Sequence, residues 1–357
     1  VNVALAAGGT GGHLIPAIVV AESILEREPK CRIVFIGSGK QLEKDLLSPY
    51  TFQYKALNSL PFVGKGLIGK LKSLLFLFPE IIKARSLLKE QKTKVLIGFG
   101  GYPAVVPVIA AWTLGIPRFI FEQNGKAGRA NRLLAKISTK IFAVPGVEGL
   151  GTDQITYVSN PVRKEIRELK REDKHTGPLR ILVIGGSQGA VRVNSAIISL
   201  LPFLKENELS IHHQTGDFDF DRVSNAYNAA SFEAKVTPFI KNMAEVYSET
   251  DLVIGRAGAT TVAEIVSMKM PAIFIPLAIA EGHQEYNIKE LLVHKAVYSL
   301  RQDNELESKL QTLLKELIEN PSIFTTISQN FDSYFAHFEI EDGEKRLSEA
   351  ALEYCHA

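Results

Sequence analysis

The chain has 357 residues, 46% hydrophobic and 22% charged, which is enough apolar material for two ordinary domain cores and too much for a disordered chain. A net charge of +2 gives no overall attraction for nucleic acid, and two distant cysteines, Cys31 and Cys355, exclude a cysteine-based zinc site and fit a reducing, cytoplasmic setting. The first residues read as a core strand without a basic leader, and the longest apolar stretch, 104–116, is short and broken by Pro107 and Gly115, so neither a signal peptide nor a transmembrane helix is expected.

From the N-terminus, a β-branched run at 2–6 leads into Gly8-Gly9-Thr10-Gly11-Gly12-His13 and then an apolar helix from Leu14 to about Leu25. Further strands are predicted at 32–36, 94–97, 118–121, 140–143 and 156–157. The series continues at 180–184, 211–214, 234–236, 252–254, 272–275 and 296–299, with helical patterns between most of them. The strands are continuous apolar runs rather than alternating ones, which predicts α/β domains with parallel sheets covered on both faces. Pro161, a charged stretch at 164–174 and Gly177-Pro178 mark a linker, giving domains of 1–160 and 161–341. A last helix, 342–357, has Asp342 as its expected N-cap.

Two strand–glycine loop–helix units stand out. The first contains Gly8 to His13; the second runs from the strand 180–184 into Gly185-Gly186-Ser187-Gln188-Gly189-Ala190 and a helix from about Val191. Orphan N–H groups and a helix dipole at the end of a strand favour a phosphate, so one pyrophosphate per half is expected. Neither loop is a dinucleotide fingerprint: the third glycine of G-x-G-x-x-G is replaced by Leu14, and Gly37-Ser38-Gly39-Lys40 stands where the ribose-binding acid should be. His13 falls at a helix start, where a positive charge is unfavourable, so a neutral imidazole suited to general-base work is expected.

Four further stretches follow strands and point to the same ends of the sheets. Gly98-Phe99-Gly100-Gly101-Tyr102-Pro103 is a third glycine-rich corner, and Glu122-Gln123-Asn124 offers a carboxylate and two amides to sugar groups. Arg256 to Glu264 opens a helix near Gly258, with Glu264 placed to receive ribose hydroxyls. Glu281, His283, Gln284 and Asn287 form a polar set, the last two on one helix face. Each could instead be a self-satisfied turn. No spacing suggests a metal site. Lys65 to Phe78 mixes Lys65, Lys70 and Lys72 with large apolar residues, and reads either as a core helix with a basic face or as an element that dips into an anionic membrane surface.

Taken together, Gly8–His13, Gly98–Pro103, Glu122-Gln-Asn124, Asn160-Pro-Val-Arg163, Gly185–Ala190, Arg256-Ala-Gly-Ala-Thr…Glu264 and His283-Gln284…Asn287 resemble, in order, the motifs of the bacterial MurG family. The resemblance implies a GT-B fold of two Rossmann-like domains facing each other across a cleft, and a final helix returning to the first. It implies an inverting transfer of N-acetylglucosamine from UDP-GlcNAc to undecaprenyl-pyrophosphoryl-MurNAc-pentapeptide at the cytoplasmic membrane face, without a cofactor. It places Ser187 at the donor phosphates, Glu264 at the ribose, Gln284 at the sugar, the Ile240 backbone at the uracil, Ala259, Thr260 and Thr261 along the nucleotide, and Arg163 beside it. It places Thr10, Gly11 and Gly12 at an acceptor phosphate, with Tyr102 in the same acceptor set and Asn124 at the sugar junction. His13 is the expected base, with Glu122 as the alternative or its orienting partner. Phe121 and Ala257 depart from the family's usual His and Ser. Two rival readings stay open, another two-domain sugar-nucleotide enzyme and a non-catalytic protein that binds a lipid pyrophosphate.

Overall fold

In chain order, apolar strands of unit one feed two cores at once. Contacts divide the chain into Val1–Arg163 with Ile340–Ala357, and Lys164–Glu339. The computed structural model describes residues 2–58, 67–169, 177–186, 189–277, 283–338 and 340–356, with backbone alone for 67–76.

Unit one has β1 (Asn2–Ala6), β2 (Arg32–Gly37), β3 (Gln53–Ala56), β4 (Val95–Gly98), β5 (Arg118–Glu122), β6 (Lys140–Ala143) and β7 (Thr156–Tyr157). They form one sheet in the order β3-β2-β1-β4-β5-β6-β7, parallel at every pairing. Because side chains alternate along a strand, Val3 and Leu5 enter one apolar cluster while Ala4 and Ala6 enter the other. The first cluster is closed by Leu14, Ala17 and Ile24 of the helix Gly11–Arg27 and by Leu347, Ala351 and Cys355 of the helix Gly343–His356. The second is closed by the helices Leu67–Glu90 and Gly101–Thr113, through Ala84, Leu88, Ala104, Val108 and Ala111. Burial on both faces is why these strands read as continuous apolar runs.

Unit two repeats the plan with β8 (Arg180–Ile184), β9 (Ser210–Gln214), β10 (Lys235–Thr237), β11 (Leu252–Gly255), β12 (Ala272–Phe274) and β13 (Tyr298–Ser299). The order is β10-β9-β8-β11-β12-β13, again parallel throughout. Val193 and Ile197 of the helix Val191–Ser199, and Leu310 and Leu314 of the helix Leu306–Glu319, pack on Ile181, Val183 and Ile254.

Both sheets reverse direction at their first strand, between β1 and β4 and between β8 and β11. These are the switch points where an open parallel sheet leaves a crevice at the strand ends. The loops after β1 and β4 meet at the first, and those after β8 and β11 at the second. One strand escaped the sequence reading. β3 is Gln-Tyr-Lys-Ala with no buried residue, an edge strand held to β2 by its backbone and lacking the apolar signal. The helix after the first glycine loop starts at Gly11, three residues before the expected Leu14, because glycines carry no apolar periodicity to announce it.

Candidate active site

The first loop wraps a histidine. Thr10 is the N-cap of the helix Gly11–Arg27, and the His13 Nδ1 lies 2.8 Å from Thr10 Oγ1. When Nδ1–H donates to that hydroxyl, Nε2 keeps its lone pair bare. The ring is half-buried; burial pushes its pKa below the ordinary histidine value, against the opposing pull of the Glu122 carboxylate. Gly101, with φ +68, lets the β4 loop close on the ring: a Cβ there would come 3.3 Å from His13 Nε2. The Thr10, Gly11 and Gly12 N–H groups have no protein acceptor among the described residues.

A buried carboxylate that the sequence reading passed over holds this loop from behind. Glu43, only 1% exposed, accepts the Gly9 N–H at 2.7 Å, the Ser38 N–H at 2.8 Å, the Gly39 N–H at 3.1 Å, and the Ser38 and Tyr54 hydroxyls, both at 2.5 Å. Burial alone would raise its pKa; the bonds from Ser38, Tyr54 and Gly9 outweigh that and leave it below the usual carboxylate range. Lys40 reaches over the same loop. Its Nζ donates to the Gly9 carbonyl at 3.1 Å and stands 5.9 Å from the Tyr102 ring centroid.

Glu122 ends β5 with both oxygens occupied. One accepts the Asn124 N–H at 3.0 Å and Asn124 Nδ2 at 2.9 Å; the other accepts the Gly128 N–H at 3.0 Å and Asn131 Nδ2 at 2.9 Å. No hydrogen bond joins Glu122 to His13 among the described contacts. The carboxylate therefore shapes the Asn124 turn and acts on His13 through its charge. Asn131, 2% exposed, also donates to the Phe121 carbonyl at 3.0 Å, and nothing in its helix pattern signalled that role.

The second loop is held by backbone. A Cβ at Gly189, φ +75, would overlap the Thr215 carbonyl, so only glycine lets the loop lie on the end of β9. Gln214 Nε2 donates to the Gly186 carbonyl at 3.2 Å. Beneath lies a network that ends on an ionised carboxylate, Asp219, held below the usual carboxylate range by its bonds from Arg222. Asn194 donates to the Thr215 carbonyl at 3.0 Å and to Asp219 at 2.7 Å, and its Oδ1 lies 3.0 Å from His213 Nε2. Since Asn194 Oδ1 can only accept, His213 Nε2 carries the proton and Nδ1 accepts from the Tyr227 hydroxyl at 3.1 Å. Burial holds His213 down at about 3. Ser187 lies outside the described residues.

After β11, Gly258 caps the helix Ala259–Ser267, which carries Ala259, Thr260, Thr261 and Glu264. The Thr260 hydroxyl is buried without a partner among the described residues. Glu264, 4% exposed, accepts from the Tyr247 hydroxyl at 2.9 Å. Gln284 accepts the Leu277 N–H at 2.9 Å, and Asn287 donates to the Ala257 carbonyl at 3.0 Å, which ties the helix His283–Val293 to the loop after β11. Ile240 is buried beside Phe239, which is 52% exposed. Arg163 is half-buried and counts by its contacts with unit one, three residues past the expected boundary; Glu281 lies outside the described residues.

Known proteins match along the whole chain. The N-terminal domain of glycosyltransferase family 28 matches residues 3–143, and its C-terminal domain residues 180–347. A relative from Geotalea daltonii, named UDP-N-acetylglucosamine–N-acetylmuramyl-(pentapeptide) pyrophosphoryl-undecaprenol N-acetylglucosamine transferase, is 37% identical over 92% of each chain. One of the same name from Pelobacter propionicus is 34% identical over 89% of this chain and 91% of its own. The crystal structure of MurG from Acinetobacter baumannii superposes with a TM-score of 0.79 at 29% identity over 99% of both chains. A UDP-GlcNAc 2-epimerase from Neisseria meningitidis, at 13% identity and a TM-score of 0.67, shares the fold alone. With both domains matched in order and full-length relatives of this identity, the chain belongs to glycosyltransferase family 28 and is a GT-B enzyme of the MurG type.

Proposed function

We propose that this chain transfers N-acetylglucosamine from UDP-GlcNAc to the 4-hydroxyl of the muramyl residue in undecaprenyl-pyrophosphoryl-MurNAc-pentapeptide, with inversion at the anomeric carbon. The relatives' shared name supports the substrates. The observation that carries the chemistry is His13, its pKa lowered by burial and its Nδ1 2.8 Å from the Thr10 hydroxyl, on the loop that carries the open N–H groups of Thr10, Gly11 and Gly12. In the step, the acceptor oxygen gives its proton to His13 Nε2 and bonds to the anomeric carbon, while the bond from that carbon to the UDP phosphate breaks. The electron pair leaves on UDP. In this reading the UDP diphosphate is taken by the N-terminus of the helix Val191–Ser199 in unit two, whose preorganised dipole needs no reorganisation to stabilise that charge.

Thr10, Gly11 and Gly12 take the acceptor phosphate in this reading, with Asn124 and Tyr102 beside the sugar. Thr260 supplies its unpartnered hydroxyl to the nucleotide, Glu264 receives the ribose, and Gln284, Ala259, Thr261, Arg163, Ser187 and the Ile240 backbone complete the donor set. Glu122 orders the Asn124 turn and tunes His13 rather than taking the proton itself.

An acceptor whose tail stays in the bilayer must be met at a membrane surface. No helix among the described residues is long and apolar enough to cross a membrane. Phe78 and Ile82, one turn apart on the helix Leu67–Glu90, are 65% and 50% exposed, and Trp112 on the adjacent helix is 50% exposed. Arg85 joins the two helices through the Thr113 hydroxyl. This apolar patch, with Lys83, Arg85 and Lys89 on the same helix, supports peripheral binding to an anionic leaflet on the cytoplasmic side. Lys65 lies outside the described residues, as do the side chains of Lys70 and Lys72. The test is transfer of labelled GlcNAc from UDP-GlcNAc to a lipid-linked muramyl acceptor. Formation of the disaccharide on the lipid is the expected result, and hydrolysis of UDP-GlcNAc to UDP and free GlcNAc without transfer would overturn the reading.

A further inference from the structure

We propose that Glu43 is a positioning residue for His13, acting through Gly9 and Thr10 to set which ring nitrogen is bare; the inference rests on the function proposed above. Two strand ends are shaped to admit its carboxylate. A Cβ at Gly37, the last residue of β2, would come 2.4 Å from Glu43 Oε2, and one at Gly8, just past β1, would come 2.4 Å from Oε1. The two oxygens divide their work. Oε2 takes the local donors, the Ser38 N–H at 2.8 Å, the Gly39 N–H at 3.1 Å and the Tyr54 hydroxyl. Oε1 takes the Ser38 hydroxyl and, 34 positions away in the chain, the Gly9 N–H at 2.7 Å.

The bond to Gly9 is the one that matters to the histidine. Glycines at 8, 9, 11 and 12 give this loop wide backbone freedom, so it needs an anchor to keep one conformation. Glu43 fixes the peptide between Gly8 and Gly9, with Gly9 at φ +83, and the chain continues into an extended Thr10 at φ −145 and ψ 159. In that conformation Thr10 Oγ1 stands 2.8 Å from His13 Nδ1. A free imidazole favours its proton on Nε2; a hydroxyl held where it accepts from Nδ1–H reverses that preference and leaves Nε2 to act as the base. The carboxylate does not touch the ring. It holds the backbone that carries the ring's partner.

Glu43→Gln separates the two oxygens. Its single amide oxygen goes to the fixed N–H groups of Ser38 and Gly39, because an NH2 there would oppose both. The NH2 then faces the Gly9 N–H, and the Ser38 hydroxyl turns to accept from it. The variant thus loses the Gly9 bond and keeps the rest of the socket. Tyr54→Phe is its control, since it removes a donor from Oε2 and leaves Gly9 alone. Nitrogen NMR of protein isotope-labelled at histidine reads the tautomer, with His13 identified by its absence from His13→Ala. The parent and Tyr54→Phe should show the Nδ1–H form, and Glu43→Gln should shift toward the Nε2–H form of free histidine. In transfer assays Glu43→Gln should lower kcat by about 10–100-fold, the cost of a misplaced base, with donor KM within about twofold and Tyr54→Phe near the parent. If Glu43→Gln does not fold, Glu43→Asp takes its place: the shortened carboxylate keeps its local donors and falls short of Gly9. Unchanged His13 signals and kcat in the folded variant would overturn the proposal, as would the Nε2–H form in the parent. Tyr54→Phe matching Glu43→Gln would also overturn it, marking a general loosening of the fold. If the parent transfers no GlcNAc yet its His13 tautomer depends on Glu43, the function fails and the positioning stands.

Discussion

The two glycine loops look alike in sequence and are held by opposite means. The loop after β1 is pinned from behind by an ionised carboxylate, Glu43, and surrounded by polar side chains that keep contact with solvent. The loop after β8 rests on another strand's backbone, and the ionised acid of the network beneath it, Asp219, reaches the loop's support only through Asn194. A carboxylate lets the first loop stay open, with side chains free to take and release a proton. Backbone contact fixes Gly189 in the second loop, and in the proposed reaction such a mould suits a leaving group that needs stabilising dipoles more than proton transfer.

The sharpest way to break this contrast is His13→Ala, which should lower turnover by about 10²–10⁴ while UDP affinity measured by calorimetry is unchanged. Because burial lowers the His13 pKa, the parent should hold its activity to a pH below 6.5 and lose it as the ring protonates, a limb that the variant lacks. Turnover kept in His13→Ala would remove the proton-transfer role from the first loop.

Next in size is Gly189→Ala. Overlap with Thr215 at a positive φ should cost about 2–4 kcal/mol of stability and abolish measurable UDP binding. Gly11→Ala in the other loop is its control. The nearest atom to a Cβ there is Ile15 Cδ1 at 3.8 Å, so thermal unfolding should move by no more than about 0.5 kcal/mol. Equal tolerance at both glycines would end the distinction between mould and open loop.

Glu43→Gln should cost about 1–3 kcal/mol, since an amide group would face donors that now meet a carboxylate. The parent's Glu43 has a depressed pKa in the fold, so its contribution is present above the unfolded-state pKa and is lost as pH falls through the folded one. Urea unfolding across the acid range should show a shallower loss in the variant. His213 adds to acid sensitivity in unit two by the same sign: it stays neutral down to about 3, whereas the unfolded chain takes up its proton near 6.5.

The smallest effect is expected for Thr260→Val. Its hydroxyl has no partner among the described residues, so stability should hold or rise slightly while UDP affinity falls by about 0.5–1.5 kcal/mol. A destabilised variant with normal UDP affinity would assign that hydroxyl to the fold.

Among the described residues twelve of the thirteen strands were legible, the central ones of each sheet because burial on both faces writes them as unbroken apolar runs, and the glycine loops were legible because their turns exclude other residues. β3 was not, being polar and held only by backbone bonds. Glu43 was hidden differently. It sits after the second strand's turn among ordinary helix residues, and its role depends on Gly9 being folded against it from 34 positions away. Asn194 and His213 share that difficulty, since 19 positions separate the two halves of their bond. Pairings of this kind are set by topology, which local pattern does not encode. The reading of Glu122 as alternative base or orienting partner of His13 has a related lesson: the ends of β1 and β5 bring the two groups near enough for the charge of Glu122 to act on the ring, and the turn next to Glu122 claims its oxygens first.

The helix Gly343–His356 completes the core of unit one, yet the ribosome makes it only after all of unit two. Until it emerges, Leu14, Ala17 and Ile24 have no cover on that side, and the nascent first unit waits while the second can already close. The Ser23 and Ser348 hydroxyls, 3.0 Å apart in the finished protein, mark where that late arrival docks. Synthesis thus completes unit one last, although its coding begins before that of unit two, and a chain released early would display an uncovered apolar helix to the cell's proteases.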